Sequence, residues 1–299
     1  MKYLRVLIYP IHSSSLKVWL HWRGDEVGPY WGRTTSFPKE ADMKDEKRFM
    51  QDVGMTDLPF PMKVLSRDHK EGQFTIAKIS IAARIMHEFE ARWIDKFIQI
   101  IHQHRDHIGT ETLKSNILDY MKELNATKVK VDFNYPFFVE KTTPVSKEKC
   151  LVRYKCTYSA SVAKSDLKPK VSLKISAPCI TTYPASSPDK PGGLFGQMST
   201  VDLEVQSQKD MYPEDLIEIV DNHALVPIYS FLTEEDQEFV IKKVHSEQKT
   251  SVVMVDEIKE DLANLRDIEG YSVSCSNFGM LHSYSTFIGT AKSMWIPLS

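Results

Sequence analysis

Period-two alternation of apolar and polar residues dominates the chain. Leu4, Val6 and Ile8, and then Leu16, Val18 and Leu20, predict a β-hairpin across the HSSS turn. FPMKVLSRD and GQFTIAKISIAARI predict two strands joined through Asp68 to Gly72. The cleanest half-buried strand is TKVKVDFNYPFFVEK, where Val129, Val131, Phe133 and Tyr135 alternate with Lys128, Lys130, Asp132 and Asn134. Residues 151–159 supply its partner, with Val152, Tyr154, Cys156 and Tyr158 on one face. Further strands are expected at 171–177 and 199–206, and YSVSCSNFG with MLHSYSTFIGT closes as a hairpin.

Between the strands the period changes to that of a helix. Trp93, Phe97, Ile100, Ile101 and His104 form one stripe on a helix from about Glu90 to His107, ended by Gly109. Leu113, Ile117, Leu118, Met121 and Leu124 mark a second helix. A third begins near Pro213, a residue suited to the first helical position. Residues 227–249 read as irregular or partly helical, and a helix from Ser251 to about Arg266 follows. Strands in runs, with helices gathered between them, predict an α+β fold built from tandem ββααββ modules, helices on one face of each antiparallel sheet. The expected division is an N-terminal extension and linker at 1–57, a first module at 58–165 and a second at 166–299, joined by SDLKPK. Trp19, Trp22, Tyr30 and Trp31 would pack the extension onto the main body or form a docking surface.

Composition narrows the function classes. At 42% hydrophobic and 26% charged, with net charge −2, the chain is an ordinary globular sequence. No strongly basic field points to nucleic acid. Lys2 and Arg5 precede the apolar run VLIYPI, which Pro10 and His12 cut too short for a signal peptide. No apolar run approaches the ~18 residues of a membrane helix. Four cysteines without CxxC spacing suggest reduced thiols and a cytoplasmic setting.

Candidate chemistry concentrates in residues 171–206. Cys179 sits where a strand is expected to end, facing a loop with three prolines and the Gly192-Gly193 pair. From this stretch alone, Cys179 reads as an inert buried thiol, with a reactive one as the alternative. His102, His104 and His107 read as helix-end histidines favoured by the dipole rather than as a metal site. Lysines 141, 147 and 149, or 168, 170 and 174, read as solvated faces.

A family resemblance rests on longer motifs. Tyr135-Pro136-Phe137-Phe138-Val139-Glu140-Lys141-Thr142, followed by Pro144-Val145-Ser146, resembles a signature of type IB GTP cyclohydrolases, members of the tunnelling fold (T-fold). Val53-Gly54-Met55, Phe60-Pro61, Pro178-Cys179, Ser199, Pro227-Ile228-Tyr229 with Asp236, and Asn277-Phe278 with His282-Ser283 keep the family's order, so the similarity covers roughly residues 45–291. The resemblance implies hydrolysis of GTP to 7,8-dihydroneopterin triphosphate and formate, with a metal-activated water, proton-shuttling histidines and a glutamate gripping the guanine edge. It also implies a homo-oligomer whose sheets join between subunits, and a purine- or pterin-like ligand.

Carried over position by position, the family's metal-binding cysteine falls on Cys179, and one of its two late histidines falls on His282. The other chemistry-bearing positions fall on Phe195, Pro227, Lys242 and Tyr284. Phenylalanine and proline offer no ligand, and lysine cannot accept two guanine N–H bonds. Glu140 and Lys141 are expected to line the site, together with Phe195, Lys242 and Tyr284 as ligand-binding residues. Cys179 and His282 are expected as catalytic residues, and as the metal ligands if a metal is present. Two ligands do not make a tetrahedral zinc site, so no cofactor is expected unless Asp221, His223, Glu234 or Glu235 rebuilds the site. The expectation is a divergent site that binds such a heterocycle without standard metal-dependent ring opening. The alternatives are a working GTP cyclohydrolase with a rebuilt site, an enzyme using Cys179 as nucleophile with Lys242 lowering its pKa, and a non-catalytic partner subunit.

Overall fold

The computed structural model describes residues 5–9, 17–21, 50–86, 93–265, 267–279 and 281–292. Residues 1–43 form one unit, in which β1 (Arg5–Tyr9) pairs antiparallel with β2 (Lys17–His21). The side chains of Trp19, Trp22, Tyr30 and Trp31 lie outside what is described.

Residues 44–299 form the second unit. In chain order its elements are β3 (Met50–Val64), β4 (Gln73–Met86), α1 (Trp93–His104), α2 (Thr110–Glu123), β5 (Lys128–Thr142), β6 (Lys149–Ala163), β7 (Asp166–Thr182) and β8 (Gly196–Ser207). Then come α3 (Pro213–His223), β9 (Val226–Pro227), α4 (Glu234–Ser246), α5 (Ser251–Asn264), β10 (Ile268–Asn277) and β11 (Thr286–Lys292). Among the described residues these strands make one nine-stranded antiparallel sheet, ordered β11-β10-β8-β7-β6-β5-β4-β3, with β9 on β7. The fold is α+β, as the alternation predicts.

Several elements depart from the sequence reading. SDLKPK is not a linker, because Asp166 pairs with Ala163 across a tight turn and β7 begins there. The two halves therefore share one continuous sheet. The second half holds three helices and the short β9. The stretch 227–249, read as irregular or partly helical, contains α4, whose sequence signal is Thr233-Glu234-Glu235-Asp236. The Thr233 side chain accepts from the Asp236 N–H, and the Asp236 side chain accepts from the Thr233 N–H, a capping box. The strand expected near Phe60 starts at Met50, with a register shift between Met55 and Leu58.

One register line shows why these residues form this sheet. Ile79 pairs with Phe133, Phe133 with Tyr158, Tyr158 with Leu173, Leu173 with Val205 and Val205 with Tyr271. All six are buried, so six strands present the same parity to one face. Against that face α2 packs on β5, β6 and β7, α3 on β7, and α5 on β10 and β11. The opposite face is polar: Ser159 donates to Asp132 at 2.6 Å, Thr157 to Asn134 at 2.7 Å and Ser172 to Glu204 at 2.7 Å. Pro136, unusual inside a strand, follows the last β4–β5 pair at Asn134, where its missing N–H breaks no ladder to β4.

Asp236 ties α4 to the β5–β6 turn. Its carboxylate accepts from the Val145 and Ser146 amides at 2.8 and 3.0 Å, from the Ser146 hydroxyl at 2.6 Å, and from the Thr233 amide and hydroxyl at 3.1 and 2.7 Å. Burial opposes its ionisation, but the bonds from Ser146, Thr233 and Val145 outweigh that and hold its pKa well below the usual carboxylate range.

Leu173→Ala, at the middle of the register line, should lower unfolding free energy by about 2–5 kcal/mol with an unchanged urea m value. A loss under about 1 kcal/mol would mean that this row is not close-packed. Asp236→Asn should be less stable than wild type at neutral pH. Because the folded pKa is depressed, the wild-type advantage should be complete above about pH 4 and shrink as pH falls further towards the folded pKa. A gap that stays constant from pH 7 to pH 2 would contradict this.

Candidate active site

Cys179 lies inside β7, which continues to Thr182 instead of ending at the cysteine. Its strand neighbours are Ser199 of β8 and Pro227 of β9. It shares the parity of Val171, Leu173, Ile175 and Ala177, so it faces the helices and is fully buried. Its Sγ lies 4.0 Å from Met254 Sδ of α5. Burial pushes the thiol pKa well up; Cys275 and Asp221 add to the rise, and Lys141 opposes it. The lysine whose charge reaches Cys179 is thus Lys141, and burial prevails over it.

Lys141 has the same origin. It continues the buried parity of β5 through Val129, Val131, Phe133, Tyr135 and Phe137 to the strand's end. A lysine there must find partners. Its Nζ lies 2.5 Å from Asp221 Oδ2 of α3, with the two side chains only 9% and 18% exposed. It donates to the Ile228 carbonyl at 3.4 Å, one residue from Pro227. The rings of Tyr154 and Tyr229 stand 5.3 and 5.8 Å from the ammonium. Burial raises the Asp221 pKa, against the lowering influence of Lys141. The other carboxylate oxygen, Asp221 Oδ1, and the Tyr154 hydroxyl are buried without a hydrogen-bond partner. Tyr154 and Tyr229 were not anticipated as site residues, although the buried parity of β5 and β6 pointed to Lys141 and Tyr154.

The other expected residues fall in different surroundings. Glu140 has the opposite parity and pairs with Lys149 at 2.7 Å on the surface. Phe195 stacks on Tyr183, centroids 4.9 Å apart at 17°. His282 stacks on Tyr284 at 5.0 Å and 6°, both exposed. Lys242 lies on α4 beside Ile241, which lines an open groove of about 500 Å³ with Ile180, Met198, Val240, Val244 and Phe278. The groove is apolar and begins one residue from Cys179.

The metal that the family implies would need several ligands gathered around Cys179. Among the described residues, no three His, Cys, Asp or Glu side chains gather to hold an ion. Cys179 contacts a thioether, Pro227 beside it has no donor, and the nearby Asp221 is committed to an ammonium. His223, considered as a replacement ligand, is held between Glu257 at 3.1 Å and Asp261 at 2.6 Å. His102 packs edge-on against Phe60 and His104 lies 3.3 Å from Asp119, so the helix-end histidines have structural partners. These surroundings do not fit a thiolate-bound metal. They also predict that Cys179 resists iodoacetamide at pH 8 in the native protein and reacts once unfolded. Rapid native labelling of Cys179 would contradict the burial described.

The sequence family described as "Type I GTP cyclohydrolase folE2" matches residues 40–287. A GTP cyclohydrolase FolE2 of Geobacter sp. (strain M21) is 33% identical over 242 residues, covering 81% of this chain and 89% of that protein. One of Citrifermentans bemidjiense shows the same identity and coverage. The crystal structure of a uricase from Bacillus fastidious shares the fold, with TM-score 0.51 and 10% identity over 81% of this chain and 92% of that one. These relatives overturn the expectation of a protein that has left GTP ring opening. That expectation weighed Phe195, Pro227, Lys242 and Tyr284 against the family pattern, whereas the similarity to GTP cyclohydrolases runs along most of both chains. The charged groups beside Cys179 also come from other positions, Lys141 and Asp221. The chain belongs to the type I GTP cyclohydrolase family of FolE2 proteins.

Proposed function

We propose that the protein is a GTP cyclohydrolase, hydrolysing GTP to 7,8-dihydroneopterin triphosphate and formate. The observation that carries this is the family match over residues 40–287, with 33% identity to proteins named for that activity. The reaction adds water at guanine C8 and opens the imidazole ring, a second hydrolytic step releases C8 as formate, and rearrangement of the ribose with ring closure and loss of one water completes the dihydropterin. The groove beside Ile180 and Gln197 offers apolar walls of a size suited to a flat base. Lys242, next to groove-lining Ile241, supplies positive charge for the triphosphate. His282 is the proton carrier, an imidazole being suited to exchange near neutral pH, with Tyr284 stacked on it. Cys179 and Lys141 stay buried on the helix-facing side of the sheet, and Phe195 and Glu140 lie outside the groove lining.

The finer architecture belongs to the same proposal. The halves β3–β6 and β7–β11 are tandem T-fold modules, the second carrying an added helix. The chain forms a homo-oligomer through the open edges of β3 and β11, with the polar sheet face turned inward. Such a site is completed between subunits.

Purified protein incubated with GTP, with and without added divalent metal, should yield the fluorescent neopterin product after oxidation. His282→Ala should lower kcat by about 10²-fold or more. GTP recovered unchanged under all these conditions would defeat the proposal.

A further inference from the structure

The surroundings of Lys141 are those of a cation site. A carboxylate oxygen at 2.5 Å, a carbonyl oxygen at 3.4 Å and two tyrosine rings within 5.8 Å converge on its ammonium. Such a set is costly to bury unless a positive charge occupies it. Two features go beyond an ordinary ion pair. Tyr154, only 1% exposed, keeps an unpartnered hydroxyl, and Asp221 keeps an unpartnered buried oxygen. The cage is also joined to Cys179 through the backbone, since Ile228, which accepts from Lys141, follows Pro227, the residue paired with Cys179.

We propose that Lys141 is the resident cation of this site, held by Asp221, Tyr154, Tyr229 and the Ile228 carbonyl, and that Cys179 beside it holds no divalent metal. A zinc ion on the Cys179 sulfur needs further ligands at about 2.0–2.3 Å. The strand neighbour Pro227 has no side-chain ligand to give, Met254 Sδ lies 4.0 Å from the sulfur, and Asp221 already neutralises the ammonium. Placing a second cation beside a buried ammonium adds repulsion in a poorly screened interior. Lys141 is therefore a positioning residue, fixing α3 and the β9 segment against the end of β5. The inference rests on the GTP cyclohydrolase reading in one respect: an enzyme built this way activates its water without a thiolate-bound metal.

The test is zinc content. Wild-type protein and Cys179→Ala, each dialysed to equilibrium against a series of zinc concentrations, should take up equal zinc at every concentration. About one zinc per chain in wild type, lost in Cys179→Ala, would overturn the assignment. A second readout follows the cage itself. Lys141→Met should lower the thermal midpoint by more than about 5 °C, because it strands a buried carboxylate, and Lys141→Met with Asp221→Asn should recover most of that loss. A neutral Lys141→Met, or no recovery in the double variant, would count against the cage. If Lys141→Met fails to fold, the wild-type and Cys179→Ala zinc contents decide alone. Zinc content independent of Cys179 in a protein that leaves GTP unchanged would support the cation assignment and defeat the activity.

Discussion

The parity of the sheet is the constraint on which the rest depends. Once Ile79, Phe133, Tyr158, Leu173, Val205 and Tyr271 are aligned across six strands, every other position on those strands is assigned to a face. A slip of one residue anywhere would turn an apolar row towards the polar side. The same rule places Cys179 and Lys141 under the helices, although neither is an ordinary core residue. The chemistry of the site follows from where that parity ends at the strand tips.

Burying Lys141 requires an answering charge and a saturated environment. Asp221, near the end of α3, supplies the charge, and Tyr154 and Tyr229 supply ring faces. The resulting cage couples the end of β5 to α3 and the adjoining β9 segment, which lie far along the chain from it. A surface ion pair such as Glu140–Lys149, one residue away on the other face, is solvated and contributes little by comparison. Adjacent residues of one motif therefore play unlike parts: Glu140 meets solvent, and Lys141 organises the interior.

Much of the fold is legible in the sequence because alternation and the 3.6-residue period are local signals. Val129 to Phe137 reads as a half-buried strand without any tertiary knowledge, and the α2 stripe is equally plain. The elements read incompletely depend on signals easily outweighed. The β7 start at Asp166 hides under lysines and Pro169, and α4 has a short apolar pattern behind its Thr233 cap. The site is less legible. Family position picks out Cys179 and the YPFFVEK motif, but it does not show that Lys141 points inward or that Asp221 meets it. Counting substitutions at Phe195, Pro227, Lys242 and Tyr284 misjudged the function, because a list of lost side chains is silent about those that gather from elsewhere in the fold.

The most direct measurement of this account is anomalous scattering at the zinc edge from crystals of the full chain grown with zinc present. The account predicts the Lys141 ammonium seated between Asp221 and the two tyrosines, with no anomalous peak within bonding reach of Cys179. A peak about 2.3 Å from the Cys179 sulfur, with Lys141 swung out of the cage, would contradict it.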